Sequence, residues 1–166
     1  TPTSNQAGAQ TFTLSLTDAA GNVTNQQVSL TVASQPRVGL TLQVVDTSGS
    51  PITTIAAGQN FKVQVLVQDL RNGADAKGVF SAFADLLFDS NVIEPIATNP
   101  ISHGVYTNSP NGIVRTGVID ELGGLAQNFS ASTNGDKFLL AEVTFLAKVS
   151  GNANLRLDAP DDSLSD

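Results

Sequence analysis

The chain has no cysteine, no methionine and no tryptophan, and only one tyrosine and one histidine in 166 residues. Without cysteine there are no disulfides, no thiolate metal sites and no thiol nucleophile. A single histidine, His103, leaves little room for imidazole clusters. Basic residues are also few: eight Lys and Arg against fifteen Asp and Glu, a net charge of −7. No basic cluster exists, which argues against a nucleic-acid partner and against anionic membrane surfaces. No apolar run is long enough for a transmembrane helix, so no membrane insertion is expected. Thr1-Pro2-Thr3 opens nothing like a signal peptide, so an export signal, if used, lies outside this sequence. No stretch of ten or more residues keeps a 3.6-residue apolar period, and none reads as a substantial helix.

What is present is Thr, Ser, Asn, Gln, Val, Ala and Gly, a composition of short strands and turns. Residues 38–44 alternate as Val38, Leu40, Leu42 and Val44. Residues 61–67 alternate as Phe61, Val63, Val65 and Val67, with Lys62, Gln64 and Gln68 on the other face. The longest expected strand runs over 138–149, with Leu139, Ala141, Val143, Phe145, Ala147 and Val149 inward. Ala153, Leu155 and Leu157 alternate once more. Residues 92–96 read as a short edge or irregular strand because of Pro95. Residues 98–112, with Pro100, Gly104, Pro110 and Gly112, read as a long connection. Residues 113–119 read as one strand, 121–124 as a turn, and Asn134-Gly135-Asp136 as a hairpin reversal. Together these predict an all-β antiparallel sandwich of about eight or nine strands.

At the front, 11–33 reads as a β-hairpin reversing at Asp18-Ala19-Ala20-Gly21-Asn22. Its text, TFTLSLTDAAGNVTNQQVSLTV, resembles the last two strands of a bacterial immunoglobulin-like or cadherin-like repeat. The strands expected before it are missing. Pro36 with its polar neighbours marks a boundary. The division expected is 1–36 as hairpin and linker, 37–158 as the sandwich, and 159–166 as an acidic tail.

The stretch 78–96, GVFSAFADLLFDSNVIEPI, organises the rest. Phe80, Ala82, Ala84, Leu86 and Phe88 form one side of a period-two pattern, suited to the core. Val79, Ser81, Phe83, Asp85 and Leu87 form the other, which is too apolar for a plain solvent face. The order of FKVQVLVQDL, G-V-x-x-A-x-x-x-L-x-F-D-x-x-V-I, N-G-I-V, a Gly-rich segment, LAEVTFLAKV and SGNANLRL resembles the cohesin domain of cellulosome scaffolds. The likeness covers about residues 38–158. Ser90 stands where the family usually has Pro.

The resemblance implies a nine-stranded jelly roll related in fold to cellulose-binding modules, on the cell surface or secreted. It implies a non-catalytic module that holds the calcium-loaded dockerin of a partner through one sheet face. Here that face would present Ser81, Phe83, Asp85 and Leu87. The family's last strand, expected after Leu157, has no counterpart. Alternatives from the same reading are a polysaccharide-binding module and a structural spacer in a large adhesin. Polysaccharide platforms rely on exposed aromatic rings, and Tyr106 with eight Phe is a thin supply. No cofactor is expected. Calcium would sit in the partner, although Asp158, Asp161 and Asp162 (with Asp166), or Asp69, Asn72 and Asp75, could gather oxygen ligands in this chain. No nucleophile elbow accompanies His103 and Ser102. Asp120, Glu121 and Glu142 are not spaced as a glycosidase acid pair.

Overall fold

The computed structural model describes residues 8–32, 37–71, 78–127 and 136–159. It falls into two compact units, Thr1–Pro36 and Arg37–Asp166. Among the described residues every regular element is a β-strand.

The first unit is a two-stranded antiparallel sheet, β1 (Gly8–Thr17) against β2 (Val23–Val32). Asp18 builds the reversal. Its Oδ1 accepts the Ala20 and Asn22 N–H groups, both at 2.9 Å, and Oδ2 accepts Asn22 Nδ2 at 2.8 Å. Gly21 supplies the left-handed step at φ 86°, which only glycine takes without a steric penalty. Ser15 Oγ donates across the strands to Asn25 Oδ1.

The second unit is an antiparallel sandwich. One sheet runs β3 (Val38–Val45), β4 (Asn60–Asp69), β10 (Lys137–Ala147), β6 (Ile93–Pro95), with β7 (Ile101–His103) also on β10. The other runs β11 (Arg156–Asp158), β5 (Ser81–Leu87), β9 (Val118–Leu125), β8 (Asn108–Arg115). The expected alternation of Phe61, Val63, Val65 and Val67 becomes the buried face of β4. It meets Leu86, Phe88, Ile119 and Leu122 from the other sheet and Val143 and Phe145 from β10 in one core. Phe145 sits at the centre of an aromatic cluster, stacked on Phe61 at 5.8 Å and edge-on to Phe88 at 5.1 Å between centroids. Two layers with a shared dry interior, each strand alternating inward and outward, are what period-two sequences of this kind can bury.

Tyr106 is fully buried and donates its hydroxyl to the Val79 carbonyl at 2.8 Å. Asp69 ends β4 as the single charged group among the buried described residues. Its carboxylate accepts Arg71 N–H (3.0 Å), Nε (2.9 Å) and Nη2 (2.7 Å), and Gly78 N–H (2.9 Å). Arg71 Nη2 also donates to the Gly78 carbonyl at 3.0 Å. This clamp joins the end of β4 to the approach to β5. The turn after β3 repeats the chemistry of the hairpin turn: Asp46 Oδ1 accepts Ser48 N–H at 2.8 Å and Ser50 N–H at 2.9 Å, with Gly49 at φ 92°.

Several local expectations are corrected. Residues 98–112 are not one loose connection, because β7 and the first half of β8 lie in it. Residues 113–119 are not one strand: the chain reverses at Thr116-Gly117, with Gly117 at φ 79°, and β8 pairs back on β9. Residues 121–124 are not a turn but the middle of β9. Gly123 and Gly124 fit there because a Cβ would meet the Ala82 carbonyl oxygen at 2.1 Å and the Tyr106 carbonyl oxygen at 2.5 Å. Closely approaching backbone, rather than a reversal, explains this glycine pair. In β10 the register shifts between Leu139 and Ala141, so Leu140 is buried and Leu139 only half-buried. The strand ends at Ala147, which leaves Val149 exposed. Val79 precedes the regular part of β5 and is buried, not outward. The Asn134-Gly135 reversal lies outside the described residues.

Candidate interaction face

In an antiparallel sheet, residues directly opposite one another share a face. The registers of β11, β5, β9 and β8 therefore define the outer wall of the four-stranded sheet row by row. The first row is Arg156, Leu87, Val118, Arg115. The second takes Asp158 and Asp85 on one side and Asp120 and Ile113 on the other. The third is Phe83, Gly123, Asn111, and the fourth is Ser81, Leu125, Asn108. Phe83, Leu87, Val118 and Leu125 are half-buried, Ile113 is 47% exposed, and none of the five belongs to the core cluster. Apolar and charged side chains are thus interspersed on this wall: Leu87 and Val118 lie on one side of Asp85 and Asp120, and Phe83 and Leu125 on the other.

The Phe83 ring packs beside Gly123. A Cβ on Gly123 would come within 2.8 Å of the Phe83 ring, so the ring occupies the space that a side chain at 123 would need. Asp85 has a structural duty. Between Ala84 and Leu86 the register with β9 slips by one residue, and Glu121 takes a left-handed φ of 51°. Asp85 Oδ1 accepts the Glu121 N–H at 2.8 Å, which satisfies a donor left over by the bulge. Asn111 Nδ2 donates to Glu121 Oε2 at 2.7 Å from the far side. On the same wall, Arg115 pairs with Asp120 at 3.2 Å and Arg156 with Asp158 at 3.0 Å. Asp85 and Asp158 are cross-strand neighbours of like charge. Each is compensated, one by a backbone N–H and the other by an arginine.

Of the four residues read from sequence, Phe83 and Leu87 lie in this patch, Ser81 is exposed at its end, and Asp85 fastens the bulge. Sequence reasoning missed Val118, Leu125 and Ile113. The signal was there: with Thr116-Gly117 read as the reversal, Ile113 and Val118 fall on two paired strands rather than one.

The other candidates are scattered. His103 and Ser102 are successive residues of β7 and point to opposite sides. His103 Nδ1 is buried with no hydrogen-bond partner, and burial holds its imidazole below the ordinary value of 6.5. Asp120 and Glu142 stand on the outer faces of different sheets and cannot share a substrate bond. Glu142 pairs with Lys62 at 2.8 Å and accepts Gln64 Nε2 at 2.8 Å. Burial works to raise its pKa, but those partners outweigh it and hold it below the ordinary value. Both oxygens of Asp69 are engaged by Arg71 and Gly78. Asn72, Asp75, Asp161, Asp162 and Asp166 lie outside the described residues. Among the described residues no three His, Cys, Asp or Glu side chains come together as a metal site.

No protein-family model, no curated protein and no solved structure matches the chain.

Proposed function

We propose that the chain is a non-catalytic attachment module of the cell surface or secreted space, and that it grips a protein partner with the outer wall of the β11-β5-β9-β8 sheet. One observation carries the reading. Phe83, Leu87, Ile113, Val118 and Leu125 share that wall outside the core, interspersed with the Arg115–Asp120 and Arg156–Asp158 pairs. Apolar anchors supply contact area to a protein interface, and charged pairs among them set register and partner choice. The order of motifs that resembles cohesins makes a dockerin-type protein the lead partner, with calcium carried by that partner. The jelly-roll winding belongs to the same proposal. The polysaccharide reading loses support from Tyr106. The one tyrosine lies in the core with its hydroxyl engaged, and cannot stack on a sugar ring.

Calorimetric titration of the chain with dockerin modules, with and without chelator, is the direct test. Leu87→Asp and Phe83→Asp should each weaken binding at least about tenfold, as losses at interface anchors do. Ser102→Asp, on the other sheet, should leave it unchanged. Equal binding by all three variants would put the contact elsewhere. Retention of the chain on insoluble cellulose without any protein partner would favour the polysaccharide reading instead.

A further inference from the structure

A sheet edge exposes unpaired N–H and C=O groups, and folded proteins normally guard it with short strands, proline, charge or bulges. Three of the four sandwich edges are guarded in this way. On the far side of β10, β6 and β7 are three residues each, and β6 contains Pro95. Strand β11 is also three residues long, with Arg156 and Asp158 on it. Strand β8 contains Pro110, ends in Arg115 and slips register twice against β9. Strand β3 has none of these devices. Its sequence, VGLTLQVV, is eight residues without charge or proline, in unbroken register with β4.

The hydrogen bonding shows which groups are free. Leu70 N–H donates to the Arg37 carbonyl at 2.9 Å, one step beyond the Val38↔Asp69 pair. Bonded and non-bonded pairs alternate along an antiparallel ladder. Gly39, Thr41, Gln43 and Val45 therefore bond to β4, while Val38, Leu40, Leu42 and Val44 aim their backbone groups outward. At one end this free side is already capped: Ile52 N–H donates to the Val44 carbonyl at 3.0 Å, and Val45 bridges Pro51. Among the described residues no segment pairs with the outer side of residues 38–42, and this is the open window. The core is thin beside it. Val63, Val65 and Val67 of β4 are at most 1% exposed, whereas Val38 is 45% exposed and Leu40 and Leu42 are only half-buried.

We propose that this window pairs antiparallel with the same window of a second copy of the chain, about a two-fold axis at Leu40. A two-fold contact sets the window against an identical window within a few residues of the axis, so a charge there would lie near its own copy and repel it. The window carries none. Centring on Leu40 sets Val38 opposite Leu42 of the second copy, apolar against apolar on the inner face. It sets Gly39 opposite Thr41 of the second copy on the outer face. Leu70, whose side chain lies over Gly39, then gains cover from that threonine. The bonded pairs 38–42, 40–40 and 42–38 add about six backbone hydrogen bonds. Five residues of strand, ~17 Å, is a small contact beside the interfaces of permanent dimers. The association is weak and reversible, and the net charge of −7 on each copy makes it stronger as salt rises.

Sedimentation equilibrium of the full chain, from about 10 µM to about 1 mM in about 0.15 M salt, reads the association directly. The expected mass climbs from 17.1 kDa toward twice that value. In parallel, amide exchange at Val38, Leu40 and Leu42 should slow as concentration rises, while Gly39 and Thr41 are protected throughout. Thr41→Lys and Thr41→Glu, at an exposed position whose own N–H bonds to β4, should each abolish the rise, and an equimolar mixture of the two should restore it. A chain that stays monomeric at about 1 mM overturns the proposal. So does protection of Val38, Leu40 and Leu42 that is independent of concentration, because another segment of the same chain would then hold the edge. A charge-swapped mixture that does not reassociate also overturns it.

Discussion

Replacing Asp69 with alanine should destabilise the sandwich far more than removing any surface carboxylate. The carboxylate of Asp69 is fully buried, and four donors from Arg71 and Gly78 converge on it. Breaking a buried ion pair by deleting one partner typically costs about 3–5 kcal/mol. Arg71 keeps 30% of its side chain in solvent, so it recovers part of its hydration, and the loss should sit near the lower end, about 3 kcal/mol. With urea slopes of about 1–3 kcal/mol per molar for small proteins, the midpoint should fall by about 1–3 M. Asp69→Asn keeps one acceptor but turns two N–H groups toward other donors, so it should also be clearly destabilised. Asp158→Ala is the internal control. That carboxylate also pairs with an arginine, but the pair is 61% and 46% exposed, and its loss should cost no more than about 0.5 kcal/mol. Tyrosine fluorescence is the natural assay. The chain has one tyrosine and no tryptophan, and Tyr106 sits in the sandwich core bonded to Val79, next to the clamp. The signal therefore reports the sandwich and not the N-terminal hairpin. An Asp69→Ala loss below about 1 kcal/mol, or no larger than that of Asp158→Ala, would refute the reasoning.

Gly123→Ala should destabilise by about 2–4 kcal/mol, because its Cβ would fall 2.1 Å from the Ala82 carbonyl oxygen and against the Phe83 ring. The same urea melt checks it, and a neutral outcome would mean that β5 and β9 can part without loss. His103 predicts an acid-sensitive step. Its folded pKa lies below 6.5 through burial, so below that pH the unfolded chain binds more protons than the folded one. Its contribution is complete above 6.5 and is lost as the pH falls through 6.5 toward the folded value. As the only histidine, it should account for this slope alone, and His103→Gln should flatten stability between about pH 5.5 and 7. An unchanged slope in the variant would place the titration elsewhere.

The parts of the fold legible in the sequence were those where one strict rule governs a strand. Residues 61–69 alternate without fault because β4 is central, with a dry core on one side and solvent on the other. Legibility failed where two backbones touch. Gly123-Gly124 has the composition of a turn, and only the presence of β5 and residue 106 beside it makes it a strand. The run around Thr116 hid a reversal because apolar residues continue on both sides of it. The bulge at 139–141 exchanged Leu139 for Leu140 in the core, a one-residue slip that no propensity records. The candidate face inherited those faults. Phe83 and Leu87 could be found on a single strand, whereas Val118, Leu125 and Ile113 become their neighbours only through pairing. The neutrality of residues 38–45 was plain in the sequence, but its meaning depended on knowing that β3 is an edge.

The clasps at Asp18 and Asp46 follow one recipe, an aspartate that ties down the amides two and four residues ahead and a left-handed glycine at the third place. Each is complete within five residues and borrows nothing from the sheets. Such bends can close on the timescale of short loops, before distant segments meet. The meeting of β4 with β10, whose Gln64 and Glu142 are 78 positions apart, carries the entropic burden of a long loop. The order of assembly is thereby set: local reversals form first, and the pace of folding is governed by how quickly the centre of the five-stranded sheet finds its late-arriving strand.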